Sequence, residues 1–143
     1  MRAVIVTGVS TGIGRAITEV LISSGYHVFG SVRKQKDANE LVNQLGKNYV
    51  PLIFDVRDSD AINKSVELVK NALDPDENLY GLINNAGIAL GGPILDLDVE
   101  IFRKQFEVNF FGVIAITQAF TGLLYRNKSR PAGKIINMSS ISG

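Results

Sequence analysis

The chain has 143 residues, with 15 basic and 14 acidic side chains, one histidine, no cysteine and a formal charge of +1. That length suits one domain and can bury about two-thirds of its unfolded surface without disulfide staples. The lack of cysteine excludes thiolate metal sites and a cysteine nucleophile, and the near-neutral charge gives no pull toward nucleic acid or an anionic membrane.

The elements follow in chain order. AVIV, residues 3–6, is β-branched and closed by Gly8, which predicts a buried strand. IGRAITEVLISSG then spaces Ile13, Ile17, Val20 and Leu21 on one helical face, with Gly25 as its stop. YHVFGSV predicts a second strand, with His27 at its surface-exposed start, and DANELVNQLG a short helix ended by Gly46. VPLIF predicts a third strand, whose Pro51 suits a strand start or a sheet edge. DSDAINKSVELVKNAL opens on capping residues and stripes Ile62, Val66, Val69 and Leu73 along one helical face. LYGLI predicts a fourth strand. A long apolar helix runs from Asp98 through Phe102, Phe106, Val113 and Phe120, and KIINMS predicts a fifth strand with Ser139 and Ser140 at its tip.

The longest apolar run, FFGVIAI at 110–116, falls far short of the ~20 residues that span a bilayer, and no signal-peptide-like stretch opens the chain. No membrane span is expected, and the expected location is cytoplasmic. Strands alternating with helices predict an α/β protein, a Rossmann-like doubly wound parallel sheet with helices on both faces, truncated after its fifth strand. Ligands bind such sheets beyond the carboxyl ends of the strands. The informative residues are therefore 8–14, 32–33, Asp55, 84–87 and 139–140.

TGVSTGIG, residues 7–14, joins the first strand to the first helix. Glycines there let the backbone turn tightly and approach a diphosphate, and the helix N-terminus offers unpaired N–H groups and a favourable dipole. With FDVRD after the third strand, NNAG at 84–87, VNFFG in the long helix and INMSS at the fifth strand, the chain resembles the short-chain dehydrogenase/reductase family in its simple one-domain branch. The resemblance runs along the whole chain.

The resemblance implies a nicotinamide cofactor. It assigns the diphosphate and ribose to Gly8, Ser10, Thr11, Gly12, Ile13 and Gly14. It assigns the adenine amino group to Asp55 with the backbone of Val56, and the neighbouring ribose to Asn85, Ala86 and Gly87. An acid at the end of the second strand would select NAD, whereas this chain has Val32, Arg33 and Lys34. A guanidinium can hold a phosphate through two N–H groups, so Arg33 predicts NADP, with NAD as the alternative. Asn109 sits in a very apolar helix, where a buried amide is costly unless its hydrogen bonds are made. The family reading makes it the first member of an Asn-Ser-Tyr-Lys tetrad. The resemblance implies a catalytic serine three positions before a glycine, which selects Ser140 ahead of Gly143 over Ser139.

The tyrosine and lysine of that tetrad are expected beyond Gly143. Tyr26, Tyr49, Tyr80 and Tyr125 are followed four positions on by Gly30, Ile53, Asn84 and Ser129. Residues 1–143 are thus expected to be an incomplete NAD(P)-binding domain, inactive alone. The expected whole protein is an NADP-dependent oxidoreductase interconverting a carbonyl and a secondary alcohol. The alternative is a non-catalytic NADP-binding or sensing protein. An epimerase is disfavoured because its glycine spacing differs. IALGGPILDL at 88–97 is apolar and is expected to border the substrate. With VFGSVRK it resembles hydroxysteroid and retinol-type reductases, and a small ketone remains open. The aromatic stripe needs no cofactor; core and subunit packing explain it, and a homo-oligomer is expected. No metal is expected.

Overall fold

The computed structural model describes residues 2–140. Strands β1 (Ala3–Val6), β2 (His27–Val32), β3 (Tyr49–Ile53), β4 (Gly81–Asn84) and β5 (Lys134–Asn137) form one parallel sheet in the order β3-β2-β1-β4-β5. The helices are α1 (Gly12–Ser23), α2 (Gln35–Leu45), α3 (Ser59–Ala72), α4 (Val99–Phe106) and α5 (Gly112–Leu124). A π-helical turn, Glu107–Phe111, joins α4 to α5. This is the expected doubly wound sheet. The chain winds outward from β1 to β3, then returns to the other side of β1 for β4 and β5, so a crevice opens between β1 and β4.

Alternation along the strands builds two cores. Ala3, Ile5, Phe29, Leu52 and Leu82 point to one face, where Ile62 and Val69 of α3 and Ile116 and Phe120 of α5 cover them. Val4, Val6, Val28, Val32 and Ile83 point to the other, under Ile17 and Leu21 of α1 and Leu41 of α2. Both faces being covered is why these strands read as continuous apolar runs rather than alternating ones. Pro51 is on the edge strand β3, as its missing N–H requires.

Four expectations need correction. The predicted apolar face of α1 is rotated: Ile13 and Val20 are both 64% exposed, whereas Gly14 and Thr18 are buried and Ile17 and Leu21 half-buried. Gly14 sets this rotation, because it sits against the backbone of Gly8 and the amide of Asn85. The Thr18 hydroxyl is satisfied by donating to the Gly14 carbonyl at 2.9 Å. His27 is half-buried rather than a plain surface residue. Its ring meets Phe29 edge-on at 5.2 Å, and desolvation lowers its pKa.

The aromatic stripe of the long helix divides. Phe120 is fully buried, but Phe106 and Phe110 are more than half exposed, because the π turn changes the helical phase between them and α5. By length and mean hydropathy, 1.4, the continuous helix Val99–Leu124 is apolar enough to cross a membrane. Its Ile116, Phe120, Leu123 and Leu124 instead pack into the core beneath the sheet. Finally, β5 stops at Asn137. Met138 still donates to the Asn84 carbonyl at 2.9 Å, and Ser139 and Ser140 follow as exposed coil. The predicted strand over KIINMS is therefore shorter than expected, and the serines lie beyond its end. Gly143, whose spacing selects Ser140, lies outside the described residues.

The crevice between β1 and β4 is closed at its base by one threonine. Thr7 Oγ1 accepts from the backbone N–H of Asn85 and of Ala86, each at 2.9 Å. In return, Asn85 Nδ2 donates to the carbonyls of Thr7 at 3.0 Å and Gly8 at 3.1 Å. Gly8 has φ +71°, and a Cβ there would lie 2.8 Å from Ala86 Cα, so only glycine allows the two segments to meet. From the other side, Ser31 Oγ accepts from the Gly8 N–H and the Ser31 carbonyl from the Val9 N–H, both at 3.0 Å. Thr7→Val keeps the shape but leaves two N–H groups without an acceptor, at ~1–3 kcal/mol each. In the whole protein its urea midpoint should fall accordingly, while Thr7→Ser retains most of the stability. An unchanged midpoint for Thr7→Val would show that water satisfies both groups.

Candidate functional site

A cavity of about 380 Å³ lies over the carboxyl ends of β1, β2, β3 and β4. Every cofactor-site residue expected from sequence lines it except Gly12: Gly8, Ser10, Thr11, Ile13, Gly14, Arg33, Asp55, Val56, Asn85, Ala86 and Gly87. Gly12 belongs to the same loop, where it takes φ +62° with open space around it. This turn starts α1, and the left-handed backbone there favours glycine.

The N-terminus of α1 differs in kind from those of α3 and α4. Asp58 caps α3 by accepting from Ala61 N at 3.0 Å, and Asp98 caps α4 by accepting from Glu100 N at 2.8 Å. Thr11 makes no side-chain cap, and no acid occupies the first turn of α1. The first-turn N–H groups and the positive end of the dipole are therefore available to an anion in the cavity. The donor set and the glycine loop fit the diphosphate of a dinucleotide.

On the opposite wall, Phe54 and Asp55 leave β3 and Asp58 N donates to the Asp55 carbonyl at 2.9 Å, forming the turn into α3. The Asp55 carboxylate takes three hydrogen bonds from Arg57: Nε to Oδ1 at 2.8 Å, a terminal guanidinium nitrogen to Oδ2 at 2.7 Å, and backbone N to Oδ1 at 3.0 Å. The Arg57 side-chain hydrogen bonds, outweighing partial burial, lower the Asp55 pKa to about 2. Arg33 is exposed at the end of β2 and, among the described residues, forms no ion pair.

Asn109 is not the buried amide that its apolar helix suggested. It is exposed on the π turn and clamps Ile88: Oδ1 accepts from the Ile88 N–H at 2.9 Å and Nδ2 donates to the Ile88 carbonyl at 2.8 Å. Oδ1 also comes within 3.3 Å of where a Gly87 Cβ would stand, so Asn109 backs the cavity wall without lining it. Ser140 lies beyond β5 and does not line the cavity.

Sequence reasoning missed Thr7, Ser31, Arg57 and Gln105. Gln105 accepts from the Leu90 N–H at 2.9 Å, one helical turn before Asn109, so two amides hold the 88–90 segment to the helix. The available signals were polar residues ending otherwise apolar strands, at Thr7 and Ser31, and two amides spaced i, i+4.

Residues 2–143 match the short chain dehydrogenase family. The chain is 41% identical to the NADPH-dependent 3-dehydrocapnine reductase of Ornithobacterium rhinotracheale, over 100% of this chain and 50% of that protein. It is 36% identical to a probable NADP-dependent dehydrogenase of Haemophilus influenzae, over 97% of this chain and 53% of that one. Among solved structures, serine dehydrogenase from Escherichia coli superposes with a TM-score of 0.82 at 34% identity, covering 96% of this chain and 62% of that one. The chain thus spans about half the length of the curated relatives it matches. With the sheet order, the glycine loop and its locked partner segment in place, the match over residues 2–143 identifies the chain as a member of the short-chain dehydrogenase/reductase family.

Proposed function

We propose that this chain is the NADP-binding portion of an oxidoreductase that interconverts a carbonyl and a secondary alcohol by hydride transfer. The observation that carries the reading is the end of β2. There an arginine rather than an acid stands on the cavity wall, its guanidinium in no ion pair among the described residues. The NADPH- and NADP-dependent relatives support the same cofactor.

Bound NADPH supplies the hydride. The residues of the chain bind, orient and exclude water. The N–H groups at the start of α1, with Ser10 and Thr11, hold the diphosphate; Arg33 pairs with the 2′-phosphate; Asp55 accepts from the adenine amino group, beside the Val56 backbone. Asn85, Ala86 and Gly87 flank the ribose, in a position fixed by Thr7. Ser140 donates its hydroxyl proton in a hydrogen bond to the substrate oxygen, and Asn109 positions the 88–90 wall. Acid–base transfer to that oxygen requires a further group, which we assign to a Tyr-x-x-x-Lys pair in the remainder of a longer protein. The exposed Phe106 and Phe110 supply an apolar surface for a second copy of the chain.

Two measurements on the whole protein test this. Calorimetric titration should show NADPH binding more tightly than NADH, and Arg33→Asp should reverse the order. Loss of a charged hydrogen-bonded contact is worth ~1.5–3 kcal/mol, or about 10- to 100-fold. Tighter NADH binding by the unaltered protein would sink the NADP assignment. Separately, Ser140→Ala should lower turnover ~10²-fold or more, as loss of an oxyanion-type donor does, with Ser139→Ala much milder. If Ser139→Ala is the crippling change, the serine assignment moves by one residue. If neither lowers turnover, neither serine acts on the substrate; an unaltered whole protein that binds NADPH yet turns over no carbonyl substrate would instead be a binder without hydride transfer.

A further inference from the structure

We infer that Arg57 is a positioning and specificity residue. It fixes Asp55 as a single directed acceptor and so makes the cavity select a base that carries an exocyclic amino group. The inference rests on the dinucleotide reading above and concerns a residue that reading leaves without a role.

A carboxylate offers about four lone-pair sites on its two oxygens. Arg57 fills three of them. Its backbone N–H and Nε both bond Oδ1, and a terminal guanidinium nitrogen bonds Oδ2. One site, on Oδ2, is left for a ligand. The fork also fixes the carboxylate plane, because two parallel N–H···O bonds from a rigid guanidinium permit one orientation. The pair lines the cavity with side chains 46% and 29% exposed, for Arg57 and Asp55 respectively. At that exposure an ion pair adds little to folding stability. Its consequence is orientation.

An amino N–H of the ligand can donate to the remaining site. A base with a carbonyl oxygen in that place presents lone pairs to an anion, and the carboxylate cannot adapt by protonation, since Arg57 holds its pKa at about 2. It cannot adapt by rotation either while the fork is formed. Discrimination between amino and oxo bases therefore depends on a residue that is two positions away in sequence and need not touch the base.

The test uses the whole protein containing this chain and three probes: NADPH, NADH and the hypoxanthine analogue of NADPH, in which an oxo group replaces the adenine amino group. The unaltered protein should prefer NADPH to the analogue by about tenfold or more, as sites built to accept a hydrogen bond from the ligand do. Arg57→Ala should narrow that ratio about three- to tenfold and weaken NADPH and NADH by similar factors. Arg57→Lys should restore only part of the ratio, because an ammonium keeps the charge but not the fork. A ratio unchanged in Arg57→Ala overturns the inference and leaves the cofactor reading standing. A loss confined to NADPH also overturns it, since Arg57 would then act on the phosphate. Failure of the unaltered protein to bind either dinucleotide overturns the cofactor reading and this inference with it.

Discussion

The strand order reverses between β1 and β4, and one hydroxyl holds that seam. At a reversal the connections leaving two neighbouring strands run to opposite sides of the sheet, so the backbone N–H groups just past the strand ends have no ladder partner. Thr7 Oγ1 accepts two of them, from Asn85 and Ala86. The Asn85 amide answers by bonding two carbonyls of the β1 side. A serine would offer the same oxygen with more freedom at χ1; the β-branched threonine is already stiff and fits the end of a strand. With that seam closed, Gly8 and Gly14 have no room for a Cβ, the glycine loop has one course, and the start of α1 faces the cavity.

This dependence explains what was legible in the sequence. Strand positions came from β-branched runs, and the cavity wall from the rule that ligands sit beyond strand ends. Those two steps located Gly8, Asp55 and Asn85 without any knowledge of contacts. The rotation of α1 was not legible. Periodicity alone favours Ile13 and Val20 as the buried stripe, because they are the larger apolar residues. The packing of Gly14 against Gly8 and Asn85 overrides that preference, and the Asn85 contact joins segments some seventy positions apart. Ser31 and Thr7 were hidden for the same reason: their partners lie on neighbouring strands, not nearby in sequence.

The long helix shows a different limit. Its residues are apolar on several sides, so hydrophobicity cannot say which side meets the sheet. The π turn decides it, by inserting an extra residue into the helical count between Phe106 and Phe120. Phe120 then falls into the core while Phe106 and Phe110 turn outward. The same turn presents Asn109 to Ile88 with both ends of its amide bonded. One departure from regular helix therefore produces an apolar outer surface and a fixed cavity wall together. Nothing in the local spelling VNFFG states either result. On β5, Ile135 and Ile136 are likewise apolar yet exposed, because neither belongs to the packed core on either face of the sheet.

Charge on the cavity wall is arranged by short-range pairing. Asp55 lies within the field of two guanidiniums, from Arg33 and Arg57. Had Arg33 taken the carboxylate, the end of β2 would carry a neutralised pair, and an incoming phosphate would have to break it. Arg57 prevents this by proximity: it is two residues from Asp55, and its backbone N–H is already bonded to the same oxygen. Closing so short a loop costs little chain entropy, whereas pairing with Arg33 would need two separate loops to hold one geometry. The local pair is therefore the favoured one, and Arg33 forms no ion pair among the described residues. An acid and a base two positions apart after β3 thus help determine how strongly an arginine after β2 attracts an anion.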